Sequence, residues 1–404
     1  MWSLLGANTM VRRALLILAL VLTSVSAKSE SGDSFAAFLA ALWPDAAKEG
    51  ITRATFDAAF AGITPDPGVI AARRRQPEYG KPFGAYLASL VSTGRVAGGL
   101  RKSAQWAPTL RAVAEKFGVD PAILVSIWGI ESSYGDGEQH WDVFRSLATL
   151  AQARFHHPFF RDETLSALRI LQDDHIPRRE FVGSWAGAMG QAQFMPSSFL
   201  RYGVDFDGDG KADIWRSVPD VLASIANYLQ KTGWQKGMPW GFEVIVPEGF
   251  DYRLSRGTFS EWAQRGFSLA NGSPFPTGDV APAILFFPSG ASGPAFLVTD
   301  NFVVLKRFND SDAYALAAGA LSDRLRGLPP IRASWPADDV QPSRDERIAL
   351  QHRLAELGYK IAEFEGHLDF DLRDAVRDQQ RRFGMIPDGY PSRAFLSRMG
   401  LRAP

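Results

Sequence analysis

Glu131 closes the stretch Asp120-Pro-Ala-Ile-Leu-Val-Ser-Ile-Trp-Gly-Ile-Glu-Ser-Ser-Tyr-Gly135 and is the first candidate for proton transfer in the chain. Asp120 reads as a helix N-cap, and Pro121 sits at the first helical position, where a missing N–H costs nothing. The spacing predicts a helix to about Ser133, with Gly135 able to stop it. Leu124, Ile127, Trp128 and Glu131 then share one face, apolar except at the glutamate. A carboxyl at the end of an apolar stripe is costly to ionise, so its pKa should rise toward the range a general acid needs. The competing reading is a glutamate at the rim of its helix, facing solvent or paired with an arginine. This stretch alone does not choose between them.

Two further stretches carry chemistry. Gly183-Ser-Trp-Ala-Gly-Ala-Met-Gly-Gln-Ala-Gln-Phe-Met-Pro-Ser-Ser198 is dense in glycine and alanine. Such a backbone can approach a ligand or a neighbouring helix closely, and Ser184, Gln191 and Gln193 would supply hydrogen bonds at that surface. The loop Asp205-x-Asp-x-Asp-Gly-Lys-x-Asp213 has EF-hand spacing. Asp205, Asp207, Asp209 and Asp213 stand at oxygen-donor positions, Gly210 gives the sharp turn, and Lys211 offers its backbone carbonyl. Arg216 occupies the position of the usual closing glutamate, and Asp220 is the carboxylate that can reach back instead. A structural Ca2+ near the cleft is the expectation, and a metal-free acidic turn the alternative.

The elements that must hold these residues read as mainly helical. Helical patterns cover Ser34 to Gly62, Glu78 to Gly99 and Leu100 to Gly118. They resume at Asp142 to Ala153, Arg161 to Asp173, Gln191 to Tyr202, Val218 to Lys231 and Asp312 to Arg326. Between the last two, Phe242 to Pro247, Ala283 to Pro288 and Ala295 to Val298 read as strands, so residues 241–300 form a small β-rich insertion. Residues 327–343, rich in proline, read as a linker. Helices at Asp345–Leu357, Leu372–Phe383 and Ser392–Met399 make a small C-terminal unit.

The 404 residues suffice for two or three domains, and 46% hydrophobic content supplies a sizeable core. Basic and acidic residues balance at 44 each, which gives no basic excess for nucleic acid. The absence of cysteine excludes disulfides, thiol catalysis, cysteine zinc sites and an N-terminal lipidated cysteine. Arg12-Arg13, the apolar run Ala14 to Val25 and the small residues Val25-Ser-Ala27 read as a cleavable export signal over 1–27, with Met1 or Met10 as the start. The run is short for a stable membrane span, although an uncleaved anchor is the alternative. A periplasmic location follows from this reading.

Ile-Glu-Ser-Ser-Tyr-Gly, followed by Gly-Ala-Met-Gly-Gln-Ala-Gln-Phe-Met-Pro-Ser-Ser, the acidic loop and Ser224-Ile-Ala-Asn-Tyr-Leu, resembles the lytic murein transglycosylase B family (glycoside hydrolase family 103) over residues 34–326. The resemblance implies a lysozyme-like catalytic domain without an organic cofactor. It would cleave the β-1,4 bond between N-acetylmuramic acid and N-acetylglucosamine and leave 1,6-anhydromuramic acid ends. Glu131 matches the family's single acid/base. Ordinary glycosidases use two carboxylates, but here the muramic C6 hydroxyl would be the nucleophile. Asp136, Glu138 and Asp142 stay open as a second carboxylate. Matching motif positions place Tyr86, Ser184, Gln193, Tyr228, Asn309 and Tyr314 in the cleft, with Phe308 where the family often has tyrosine. In the 344–404 unit, Leu350 to Tyr359, Asp374 to Phe383 and Pro387-Asp-Gly389 resemble a three-helix peptidoglycan-binding domain, which would tether the enzyme to glycan strands. Proteins of wall synthesis or division remain open as partners. A hydrolytic muramidase or a non-catalytic wall-binding protein on the same fold are the alternatives.

Overall fold

The computed structural model describes residues 27–74, 82–137, 139–153, 158–275, 281–337 and 339–401. The expected export signal up to residue 26, and Glu138, lie outside them. Among the described residues no helix is long and apolar enough to cross a membrane.

Helices α1 (Ala27–Lys48), α2 (Arg53–Phe60) and α3 (Pro67–Arg74) open the fold. The helix expected to end at Gly98-Gly99 is divided into α4 (Phe83–Leu90) and α5 (Thr93–Gln105). The divider is Ser92, whose hydroxyl caps α5 by accepting from the Arg95 N–H. The two glycines lie buried inside α5, because a Cβ at Gly99 would meet the Tyr134 hydroxyl and Leu325 at 2.6 Å. A second break at Trp106 starts α6 (Ala107–Phe117), which Gly118 ends at φ 72°.

Helix α7 (Pro121–Ser132) begins as its sequence foretells, with the Asp120 carboxylate accepting from the Ala122 N–H at 2.7 Å. It ends one step earlier than glycine requires, as Ser133 and Tyr134 take φ of 51° and 65°. Every residue from Ile123 to Gly129 is buried. The helix is therefore buried on all sides, as a central helix must be, rather than on one face. Strand β1 (Trp141–Asp142), α8 (Val143–Gln152), α9 (Phe159–Gln172), β2 (Val182–Gly183), α10 (Pro196–Tyr202) and α11 (Val218–Lys231) complete the helical shell. The stretch 191–195, expected to be helical, is a turn followed by an isolated bridge from Phe194 to Met189.

The insertion is an antiparallel sheet of β3 (Gly241–Ile245), β4 (Arg256–Thr258), β5 (Ser268–Leu269), β6 (Pro282–Phe286) and β7 (Ala295–Val298), in the order β4-β6-β7-β3-β5, with α12 (Phe259–Gln264) crossing it. In β7 all four residues are buried, as a central strand covered on both faces requires. Phe296 and Val298 join the main core, while Ala295 and Leu297 join a satellite core around Phe259 and Trp262. Then come α13 (Asp300–Asn309), which sequence periodicity missed, and α14 (Asp312–Leu325). α14 packs on α7, and the Ser126 hydroxyl donates to the Ala318 carbonyl at 2.6 Å in the middle of that contact.

Helices α15 (Arg344–Glu356), α16 (Phe370–Arg382) and α17 (Arg393–Arg398) enclose a separate small core of Leu350, Leu354, Leu372, Val376 and Phe395. The described residues of the segment before them form no helix or strand, yet it is fastened. Trp335 stacks on Phe83 of α4 at 5.2 Å. Buried Asp339 accepts hydrogen bonds from the Phe83 N–H, the Ser289 hydroxyl, the Tyr390 hydroxyl and the Gln341 amide, at 2.6 to 3.0 Å. One carboxylate thus joins helix α4, the insertion and the C-terminal unit.

Candidate active site

Glu131 lies in the last turn of α7, partly exposed, where the buried helix reaches the surface. Tyr314, in the first turn of α14, donates its hydroxyl to Glu131 Oε1 at 2.6 Å. Burial raises the Tyr314 phenol well above its ordinary value of 10.0, and the charge of Glu131 adds to the rise. The phenol therefore stays protonated and acts as a donor that orients the carboxylate. A hydrogen bond to a charged group contributes about 1.5–3 kcal/mol.

The Tyr314 ring continues into an aromatic wall. It stacks with Phe308 at 6.1 Å and an interplanar angle of 3°. Phe308 meets Tyr228 at 4.9 Å and Phe194 at 5.8 Å. The Tyr228 hydroxyl donates to the Arg307 carbonyl at 2.7 Å, which ties α11 to the end of α13. Burial, with neighbouring Tyr202 adding, pushes the Tyr228 phenol up to about 12. Tyr86 of α4 is close enough for its charge to act on Tyr314. Asn309 is exposed at the end of α13, and Asp310 turns the chain at φ 42°. Tyr86, Tyr228 and Phe308 thus gather around Tyr314, which bonds Glu131.

The glycine-rich stretch forms the adjoining turns. Gly183 and Gly187 are needed for packing, since Cβ atoms there would lie 2.1 Å from the Ala188 carbonyl and 2.3 Å from Leu147. Ser184 Oγ accepts from the Ala188 N–H at 3.0 Å, and Gln193, at φ 50°, donates its amide to the Gly190 carbonyl at 2.9 Å. Phe194, next to Gln193, delivers this turn to the aromatic wall. Gln191 works differently from Gln193. It accepts from Trp128 Nε1 and donates to the Trp215 carbonyl, both at 2.9 Å, so it braces α7 against the acidic loop. Phe194 and Gln191 as a brace were missed from sequence, although both stand inside the quoted motif.

Of the other nearby acids, Asp142 caps α8 through the Arg145 N–H and pairs with Arg178 at 2.8 Å. Asp136 is exposed beyond the helix end.

In the acidic loop, Asp205, Asp207 and Asp209 bring one carboxylate oxygen each within 4.8 Å of one another. The loop is organised from behind by buried Asp220. Its two oxygens accept from the N–H groups of Phe206, Asp207 and Asp213 at 2.8, 3.3 and 2.8 Å. Burial raises its pKa against those hydrogen bonds. Lys211 sends its ammonium to Asp174 at 2.8 Å, which leaves its carbonyl as its donor to the loop. Converging carboxylate oxygens are the donor set of a hard divalent cation. Asp205, Asp207 and Asp209 offer converging oxygens for calcium, and of the two Asp220 oxygens only Oδ2, which accepts a single hydrogen bond, retains a lone pair.

A mostly helical domain with one oriented glutamate at the end of its central helix, beside an aromatic wall, is a lysozyme-like fold with its candidate acid in place. The family model described as the transglycosylase SLT domain matches residues 34–323, and the chain belongs to this family of enzymes acting on peptidoglycan. A second model, the putative peptidoglycan binding domain, matches residues 343–399. The chain is 32% identical over 257 residues to the membrane-bound lytic murein transglycosylase B of Escherichia coli K12, covering 60% of this chain and 68% of that protein. It is 45% identical to SltB3 of Pseudomonas aeruginosa, solved in complex with NAG-anhNAM-pentapeptide, with a TM-score of 0.82 over 91% of this chain and all of that one. Slt35 of E. coli, solved in complex with calcium, is 26% identical with a TM-score of 0.60, over 73% of this chain and 93% of its own.

Proposed function

We propose that the protein cleaves the β-1,4 bond between N-acetylmuramic acid and N-acetylglucosamine with Glu131 as acid and then base, leaving 1,6-anhydromuramic acid ends. The observation that carries this reading is the hydrogen bond from the buried Tyr314 phenol to Glu131, which orients the carboxylate beside the aromatic wall. Protonated Glu131 gives its proton to the bridging oxygen as the bond to muramic C1 breaks. The resulting carboxylate takes the proton of the muramic C6 hydroxyl as that oxygen bonds to C1. Glu131 is reprotonated, and no water enters. Asp142 is committed to Arg178 and its helix cap, which supports a mechanism in which the substrate supplies the nucleophile. Aromatic rings such as Phe308 and Tyr228 suit stacking on sugar faces, while Tyr86, Ser184, Gln193 and Asn309 offer hydrogen bonds.

The complex of SltB3 with NAG-anhNAM-pentapeptide supports a substrate that carries peptides. The C-terminal unit would hold the enzyme on glycan strands. The acidic loop would hold calcium through Asp205, Asp207, Asp209, the Lys211 carbonyl, Asp213 and Asp220, stiffening the turn that Gln191 braces. The apolar run near the N-terminus supports export to the periplasm.

Digesting purified sacculi and weighing the products tests the reaction. Anhydro-muropeptides from the wild type and none from Glu131→Gln are expected. Reducing-end products heavier by one water would overturn the reading in favour of a muramidase.

A further inference from the structure

The backbone leaves Glu131 through three successive left-handed residues. Ser133, Tyr134 and Gly135 take φ of 51°, 65° and 86°. Two of them carry a Cβ, for which this region is uphill, so contacts from outside must hold the run. It begins two residues after Glu131, and what fixes it also fixes the last turn of α7. One clamp is Tyr134 itself. Its ring fills a socket made by three glycines, because a Cβ at Gly98 or Gly99 of α5, or at Gly129 of α7, would lie 3.0, 2.6 and 2.5 Å from it. Its hydroxyl donates to the Arg95 carbonyl at 2.7 Å.

The other clamp is Gln191. Gly135 makes room for its amide, since a Cβ there would lie 2.4 Å from Gln191 Oε1. Both ends of that amide are engaged at 2.9 Å, Oε1 by the indole N–H of Trp128 and Nε2 by the Trp215 carbonyl. Its backbone N–H donates to the Ile214 carbonyl at 2.8 Å. Gln139, past the exit turn, donates to the neighbouring Gly190 carbonyl at 2.8 Å. Trp128 is fully buried and lies one turn before Glu131 on the same side of the helix. Gln191 therefore grips the chain on both sides of Glu131, and its own anchor is a different segment, 214–215. The 2.6 Å hydrogen bond from Tyr314 exists only while the carboxylate is delivered to one place. A methionine would fill the volume of Gln191 and offer neither the amide donor nor a strong acceptor. A glutamate would accept from Trp128 and leave the Trp215 carbonyl unpaired.

We propose that Gln191 is a positioning residue for the cleavage step, one that acts through Trp128 and Gly135 to hold the Glu131 carboxylate on Tyr314. Its effect on rate rests on the reading of Glu131 as acid and base. The geometry it enforces does not. Because its amide turns inward, loss of Gln191 should leave substrate binding alone and slow the bond-breaking step.

A double-mutant cycle of Gln191→Met and Tyr314→Phe in the full-length protein tests this by chemical denaturation and by kinetics on short soluble glycans. If Gln191 holds Glu131 on Tyr314, removing the Tyr314 hydroxyl costs less in the Gln191→Met background, with a coupling of about threefold or more in the unfolding equilibrium constant. A residue that only packs gives additive losses. Gln191→Met should lower kcat about 10- to 100-fold, with KM within about twofold and product masses unchanged. Gln191→Glu, which keeps the acceptor for Trp128, should lose less, and it replaces the methionine variant in the cycle if that one does not fold. Additive stabilities, an unchanged kcat, or a loss confined to KM would overturn the proposal. Full activity of Glu131→Gln would instead overturn the acid reading, and the stability cycle would still decide the positioning.

Discussion

At the scale of single residues, the proposed reaction rests on the hydrogen bond from Tyr314 to Glu131. Tyr314→Phe removes the 2.6 Å hydrogen bond and keeps the ring that stacks on Phe308. A loss of about 1.5–3 kcal/mol of orientation corresponds to roughly 10–150-fold in kcat. The expected result is a slower release of anhydro products with unchanged product masses, read by chromatography of timed digests. An unchanged rate would mean that Tyr314 serves only packing. Glu131 itself was legible from its place at the end of an apolar run. Its surroundings were not, because Tyr314 is 183 residues away and reaches it only through the packing of α14 on α7. The apolar stripe expected beside Glu131 is part of a helix buried on every side, so the spacing of Leu124, Ile127 and Trp128 reflected the core rather than a cleft wall.

At the scale of elements, the acidic loop is the piece with the most to gain from a ligand. Three carboxylates drawn within 4.8 Å repel one another, and a cation removes that repulsion. Millimolar calcium should raise the melting temperature by several degrees and a chelator should reverse it, following the mass-action relation for a ligand of the native state. Asp209→Ala should abolish the shift without changing the apo melting temperature greatly. If scanning calorimetry gives the same curve with calcium and chelator, the loop is an acidic turn only. Of the helix caps, Asp120 alone is read from the sequence, although the same device recurs in the structure. Asp120, Asp142, Ser217 and Ser343 all cap the helices that follow them, since a side-chain acceptor at that position satisfies an otherwise unpaired N–H. Breaks inside helical patterns were harder. Ser92 divides α4 from α5 within a run whose periodicity continues across it, and the glycines after it serve contact with Tyr134 rather than termination. Helix α13 escaped because its residues are buried among the insertion and α14, which hides any one-sided pattern.

At the scale of the whole molecule, the C-terminal unit is built into the cleft's support. Asp312, at the start of α14, is held by Lys306 at 2.9 Å and by Arg373 of α16 at 2.6 Å. Burial pushes its carboxyl up, but the two cations outweigh it and hold it at about 2. Breaking a buried pair of this kind costs about 3–5 kcal/mol. Arg373→Met should therefore lower the denaturation midpoint and slow cleavage even of short soluble glycans, which need no tethering. Full activity on those glycans would separate the two units functionally. A second contact is pH-dependent. His367 pairs with Asp310, and Asp310 raises its pKa above the ordinary 6.5. A raised histidine stabilises fully below about pH 6.5 and loses its contribution as pH rises through the folded value. The melting-temperature gap between wild type and His367→Gln should thus be widest below about pH 6.5 and close as pH rises through the raised folded-state value. A gap that widens with pH would contradict the pairing. The linker was readable as irregular chain from its prolines, but its fastening was not, because Asp339 gains its meaning only from Phe83, Ser289 and Tyr390, far apart in sequence. That four-way joint has a consequence for protein engineering. A wall-binding unit on a loose tether could be exchanged for another or cut away without harm. Here a graft at residue 327 would strip the N-terminus of α4 of its acceptor and withdraw Trp335 from Phe83, so a chimera must carry the strap and its carboxylate along as part of the catalytic body.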